Sequence, residues 1–424
     1  MVAICHISKL CTHLYNERLV DQYSQPVSKL SKRELNTAFA LSSVVGLRMF
    51  GLFLIMPVFT IYAMKLPGAT PFLVGLAIGI YGFAQALLQV PVGLASDRIG
   101  RHVTITVGLV IFIIGSVVAA MAHGITGILV GRVLQGMGAV SGASQALAAD
   151  HSDDDNRSKV MGIIGVSIGL AFVLAIILSA PLAAVAGLEG LFGLTAILAG
   201  AAIALLWIVV PKPKRQRAPQ VASFASVWRM VVRPRLAVLN VSVFMMHAML
   251  TAAFVAMPLM LTRYLHVELS SQWMLYLPVM FVSAIVMGGV LRRVTSLAGS
   301  MHLVMLCALG LGIALAGFAL GYLGQTVLWL AAVIFFSAFN LLEACLPSLV
   351  SRLAPFDLRG AAMGAYATCQ FLGAGVGGVL GGVMLQRVGM AAVFWAGAAL
   401  VVVWLPILWW GQRHVVAAGQ PVVA

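Results

Sequence analysis

Twelve apolar stretches, divided by short polar breaks, dominate this chain and leave it few possible folds. They lie at about 38–63, 72–95, 102–122, 125–149, 160–185, 189–210, 236–263, 271–291, 301–322, 327–351, 360–386 and 390–411. A membrane-spanning helix needs about 20 apolar residues, and every stretch reaches that length. Backbone in lipid must satisfy its own hydrogen bonds, so such spans are helical. Composition agrees: 62% of the 424 residues are hydrophobic and 9% charged, against roughly 25% charged in soluble proteins. A soluble enzyme, a disordered chain and a nucleic-acid-binding domain are excluded. Five cysteines form no C-x-x-C pair, which gives no disulfide framework and no zinc site. Residues 1–35 are polar and mixed in charge, with no apolar run for a signal peptide. They are expected to form a disordered cytoplasmic tail, or to be residues added by an early start codon.

The net charge of +14 has a topological explanation. With the N-terminus inside, 21 of the 26 basic residues fall in the tails and cytoplasmic links. Lys65, Arg263 and Arg387 fall outside, and Arg48 and Arg132 lie within spans. That asymmetry places both termini in the cytoplasm and requires no polyanionic partner. The longest inner link, 211–235, holds seven basic residues and no acid. It divides the chain into a bundle at 36–210 and a bundle at 236–411, followed by a cytoplasmic tail at 412–424.

The halves echo one another. Asp155-Asn156-Arg157 followed by Met161-Gly162 returns as Asp357-Leu358-Arg359 followed by Met363-Gly364, 202 positions later. Met56-Pro57 returns as Met257-Pro258, 201 positions later. Two matches at nearly one offset indicate duplication. Six-helix repeats with a site at their interface are a transporter architecture. The expected fold is all-α, with twelve transmembrane helices in two pseudo-symmetric six-helix bundles.

Between spans two and three stands Gly93-Leu-Ala-Ser-Asp97-Arg98-Ile-Gly100-Arg101-His102. It resembles the G-x-x-x-D-R-x-G-R-[KR] loop of the major facilitator superfamily, with His102 at the last basic position. Gly131-Arg132-Val-Leu-Gln135-Gly136-Met-Gly138 in span four is similar to the superfamily's R-x-x-Q-G-x-G motif. With the runs LRMFGLFLIMPV and AFNLLEACLPSL, the resemblance narrows to the YajR-type branch of drug/proton antiporters over roughly residues 36–411. The branch's namesake carries an extra C-terminal soluble domain, which is not expected here. Span five departs from the antiporter pattern G-P-x-x-G-G: Pro181 is present, but Ala183, Ala184 and Val185 follow without the glycines.

The signature loop suggests a conformational latch made by Gly93, Asp97, Arg98, Gly100, Arg101 and Asp150. Gly93 has no side chain, so span two could approach a neighbour closely. Asp97 would sit at the positive N-terminal end of a facing helix, which the resemblance identifies as span eleven, and Arg101 would pair with Asp150. Arg48 lies about ten residues, roughly 15 Å, from its span's inner end. A cation at that depth usually faces a cavity or a partner. The resemblance gives Arg132 a part in proton transfer, with hydrogen bonding to backbone as the alternative. Glu343 is the one acid deep in a span. Asn340, Glu343 and Pro347 share a helix face. Aligning the Met-Pro pairs brings His247 close in depth to Arg48. Glu343, His247, Arg48 and Arg132 are therefore the candidate proton-coupling residues, and Gln85, Asn340 and Gln370 the candidate cavity residues. Gly373, Gly377 and Gly381 form a ladder suited to close helix packing.

The Gly165-Val-Ser167-Ile-Gly169 run imitates a nucleophile elbow, but it lacks the preceding strand. No G-x-x-x-x-G-K-[ST] motif supplies ATP-driven transport, and no metal or cofactor is implied. The leading expectation is a monomeric secondary transporter of the bacterial inner membrane, exchanging protons for drug-like or amphiphilic compounds. A proton-coupled or facilitative carrier of a polar or anionic metabolite comes second, favoured by Arg48 and by the missing glycines. A non-transporting membrane sensor comes third, and a membrane-embedded enzyme last.

Overall fold

The computed structural model describes residues 31–152, 156–211, 229–265, 268, 271–294, 296–355 and 358–417. The tail at 1–30, the linker core at 212–228 and the last residues, 418–424, lie outside them. Helix α1 spans Lys32–Ala63, α2 Pro71–Ile99, α3 Arg101–Ala120, α4 Ile125–Met137, α5 Ser141–Asp150 and α6 Arg157–Val209. Helix α7 spans Pro234–Leu265, α8 Trp273–Leu291, α9 Leu297–Ala319, α10 Gln325–Leu353, α11 Arg359–Arg387 and α12 Met390–Ala417.

Ten of these helices are long and apolar enough to cross a membrane, and the difference from twelve has two local causes. Span four is broken: α4 stops at Met137 and α5 starts at Ser141, so neither half qualifies alone. Spans five and six run together as α6 through a kink at Gly187 (φ 66°, ψ −172°), a left-handed conformation that glycine adopts without steric cost. Twelve crossings result, in two pseudo-symmetric six-helix bundles.

Two boundaries move. Residues 32–35, expected in the tail, are helical because Ser31 and Glu34 form a reciprocal capping box, which satisfies otherwise unpaired N–H groups at the helix start. At the other end α12 continues to Ala417, beyond the expected stop at 411.

Within the first bundle, α1 packs on α6, and α3 on α4 and α6. Within the second, α11 packs on α7, and α9 on α10 and α12. The bundles meet through α2 with α11, α1 with α7, and α6 with α8. The α2–α11 seam is unequal along its length. A Cβ on Gly75, Gly79 or Gly82 would overlap α11 backbone at Gly378, Gly375 or Phe371. Toward the face carrying Arg98, Arg101 and Arg359, here called the basic face, a Cβ on Gly93, Gly360 or Gly364 would meet nothing within 4 Å. The bundles thus touch on the far side of the membrane and part toward the basic face.

The other side of α11 carries the expected ladder. Cβ atoms on Gly373 and Gly377 would overlap the Phe244 and Ala248 carbonyls of α7. The pseudo-elbow is divided: Ser167 donates to the Ser42 carbonyl at 2.8 Å, while Gly165 and Gly169 face open space.

Candidate functional site

One polar cluster lies within the second bundle. Glu343 of α10, His247 of α7 and Gln370 of α11 converge there. Gln370 donates from Nε2 to His247 Nε2 at 2.8 Å and to Glu343 Oε1 at 3.3 Å. His247 Nδ1 lies 3.1 Å from the Val243 carbonyl. A carbonyl only accepts, so Nδ1 carries the hydrogen and Nε2 is left as the acceptor that Gln370 meets. Glu343 Oε2 has no hydrogen-bond partner and sits 3.7 Å from His247 Nε2. The Glu343 side chain is 39% exposed and that of His247 10%, while Glu343 Oε2 itself is buried. The half-buried stripe along Asn340, Glu343 and Pro347 is the helix face their spacing defined.

Three aromatic residues continue the wall across the bundle boundary. The Phe339 ring stands 5.8 Å from the His247 ring and 6.0 Å from Phe172, and Phe172 stands 5.1 Å from Phe53. They come from α10, α6 and α1. Sequence reasoning missed them, because nothing distinguishes these phenylalanines from the 17 others until the helices are packed. Tyr366, one turn before Gln370, is buried with an unpartnered hydroxyl and lies in electrostatic reach of Glu343. Asn340 donates to the Ser283 hydroxyl at 2.8 Å, which ties its amide to α8.

Arg48 is placed differently from expectation. It is 2% exposed and turns into the first bundle, away from Glu343. Its Nη2 donates to the Tyr81 hydroxyl (3.0 Å), Gln85 Oε1 (3.2 Å) and the Gly138 carbonyl (3.4 Å). Gln85 in turn donates to Ser141 at the start of α5. The break in span four explains the arrangement. The C-terminal end of α4 presents carbonyls without helical partners and a partial negative charge, and Arg48 supplies the matching cation. Gln85 is therefore a fully enclosed member of this network rather than a cavity residue.

Arg132 also spends its donors inside the bundle. Nε donates to the Ala77 carbonyl at 3.1 Å and Nη1 to Gln135 Oε1 at 2.8 Å, and Gln135 donates to Ser116 at 2.8 Å. The Tyr81 ring lies 4.7 Å from the guanidinium. The R-x-x-Q-G-x-G segment thus pins α4 to α2 and α3, by the backbone bonding named as the alternative.

At the basic face Arg101 Nε donates to Asp150 Oδ2 at 3.1 Å. Asp97 pairs with Arg101 one turn along rather than with the start of α11. The expected close approach at Gly93 is not made. Both differences have one cause: the α2–α11 seam is open at this end.

The fold and these motifs define a membrane transporter of the Major Facilitator Superfamily. The superfamily's sequence profile matches residues 41–378, and the chain belongs to this family. It is 40% identical over 389 residues to the inner membrane transport protein YajR of Escherichia coli K12, covering 89% of this chain and 84% of that one. A shorter match, 38% over 101 residues, links it to the multidrug resistance protein MdtL of Klebsiella pneumoniae, covering 23% of this chain and 25% of that one. In fold it is similar to the human organic anion transporter MFSD10, with a TM-score of 0.67 and 18% identity over 89% of this chain and 100% of that one.

Proposed function

We propose that this protein is a proton-coupled secondary transporter that exports drug-like or amphiphilic small molecules by alternating access. The observation that carries this reading is the Glu343–Gln370–His247 cluster, which puts two titratable groups side by side next to a phenylalanine wall that crosses the bundle boundary. A proton-coupled carrier needs a group that changes charge within the membrane, and an apolar wall suits amphiphilic cargo. The partial likeness to a multidrug resistance protein supports the direction of transport. An anionic metabolite held by Arg48 is the weaker reading, because that guanidinium is turned into the first bundle.

The basic face is cytoplasmic in this proposal, by the charge asymmetry of the links, and both termini lie there. The protein acts as a monomer in the bacterial inner membrane. The cleft open toward the basic face then corresponds to an inward-facing arrangement. Gly93, Asp97, Arg98, Gly100 and Arg101, with Asp150, form the latch that closes this end in the outward-facing one.

The test is transport in proteoliposomes under an imposed pH gradient, with a panel of amphiphilic cations, neutral drugs and organic anions. Glu343→Gln should abolish the response to the gradient while leaving insertion and substrate binding in place. A Glu343→Gln protein that still follows the gradient like wild type would remove Glu343 from proton coupling and leave His247→Ala as the next variant to assay.

A further inference from the structure

We propose that a proton and the Gln370 amide compete for one acceptor, His247 Nε2, so that proton loading releases α11 at the point where the two bundles part. This inference rests on the proton-coupled reading above. One amide nitrogen serves both His247 Nε2, at 2.8 Å, and Glu343 Oε1, at 3.3 Å. That pattern requires an unprotonated His247 Nε2, because an imidazole nitrogen accepts only when it carries no hydrogen. Two adjacent acceptors in a site of low dielectric are costly without a donor between them, and Gln370 supplies it.

A single added proton can serve the same purpose. Glu343 Oε2 is unpartnered and stands 3.7 Å from His247 Nε2. A proton bound to either atom makes an N–H···O or O–H···N bond between them once they close by about 1 Å. The proton comes from water in the cleft, no other bond is made or broken covalently, and the pair becomes a charge-assisted hydrogen bond. His247 Nε2 then no longer accepts from Gln370, and the amide loses the stronger of its two contacts.

The position of Gln370 turns this exchange into a mechanical event. Its neighbour Phe371 is the α11 residue whose carbonyl a Cβ on Gly82 would overlap, and on the basic side of it Gly364 and Gly360 face open space. Gln370 therefore stands at the apex of the wedge between α2 and α11, tying α11 to α7 and α10. The titratable neighbour in reach of Glu343 is Tyr366 on α11, with Cys345 on α10 in reach of Tyr366 in turn; a phenol and a thiol are uncharged at neutral pH. Phe339 and Phe172 face the group from α10 and α6, and Arg48 of α1 is bonded away from it. The competition is thus between one proton and one amide. It makes Gln370 a positioning residue that acts through the Glu343–His247 pair.

The experiment titrates the full-length protein in nanodiscs by infrared difference spectroscopy. The Glu343 carboxyl band is assigned by its loss in Glu343→Gln, and spin labels on α2 and α11 at the basic face report the gap. Gln370→Met removes the competing donor, so the Glu343 midpoint should rise by about one to two pH units, the strength of a hydrogen bond to a charged acceptor. The α2–α11 distance should also stop changing at the wild-type midpoint. Gln370→Asn keeps an amide on a shorter arm and should shift the midpoint by less in the same direction, which keeps the test open if the methionine variant fails to fold. An unchanged or lowered midpoint in the folded variants overturns the inference. If that occurs while Glu343→Gln still loses its response to a pH gradient, the transport reading stands and only the competition falls.

Discussion

At the scale of single residues, the membrane interior imposes one question on every charge: which group takes up its donors or acceptors. Arg48 answers with groups of its own bundle, and a prediction follows from that. Arg48→Met leaves Gln85 Oε1 and the Gly138 carbonyl without their donor, at a cost of about 1–3 kcal/mol for each group left unsatisfied. The melting temperature in detergent should fall by several degrees while the substrate range stays that of wild type. A variant of undiminished stability with an altered substrate range would return Arg48 to the cleft. Arg132 differs in one respect that sequence alone allowed for, since hydrogen bonding to backbone was one of its two readings. Glu343 was identifiable from the sequence, being the one acid far from any span end. Its partner Gln370 stood out far less, because a glutamine within a span is one of several until two other helices bring acceptors to it.

At the scale of elements, α11 is the helix packed most closely on both bundles. One of its sides is packed on α7 through Gly373 and Gly377, and another on α2 through Gly375, Gly378 and Gly382. A Cβ on Gly378 would lie 2.6 Å from both the Gly75 carbonyl and the Gly79 nitrogen, whereas one on Gly364 would meet nothing within 4 Å. Gly378→Val should therefore force the far end of the seam apart, and Gly364→Ala should be tolerated. Spin-label distances between α2 and α11 at the end far from the basic face read this out. The distance should widen in Gly378→Val and not in Gly364→Ala; equal distances would mean that the seam is not held by glycine contact. Span four shows the opposite relation between sequence and element. Its apolar run is continuous in the sequence, yet the helix breaks between Met137 and Ser141. Gly136 and Gly138 are drawn against the Tyr81 and Gly108 carbonyls of α2 and α3, and Arg48 donates to the buried Gly138 carbonyl.

At the scale of the whole molecule, two arrangements of the bundles must lie close in free energy for a transporter to cycle. Asp97 is paired with Arg101 in the open arrangement, and closing the basic face would bring it toward the start of α11. The charge at a helix N-terminus is worth about 0.3–2 kcal/mol, enough to move a balanced two-state equilibrium several-fold. Asp97→Asn should therefore insert normally, lose most transport, and populate the basic-face-open form more heavily in spin-label distance distributions. Wild-type transport in that variant would rule out the latch. The N-terminal boundary gives a stability test at the same scale. Deleting residues 1–30 keeps Ser31 and should leave detergent stability unchanged. Deleting 1–35 removes the capping box and should cost about 0.5–2 kcal/mol. Equal losses in the two deletions would show that residues before Ser31 pack on the bundles.

What the sequence by itself determined was whatever follows from partition into lipid: the spans, the charge asymmetry of their links, the internal repeat, and the rarity of a deep acid. Each is a local or summed property of the chain, because a bilayer tests a segment about 20 residues at a time. Only the tertiary structure decided which polar groups meet. Arg48 and His247, alike in depth along their helices, face different neighbours because azimuth about a helix is set by packing. Apolar residues surround a membrane helix on nearly every side, so the 3.6-residue period that marks the inner face of a soluble helix is blurred here. The Glu343–Gln370–His247 cluster, the phenylalanine wall and the wedge opening beside Gln370 are contacts among α1, α6, α7, α10 and α11, and they exist only once those helices are placed together.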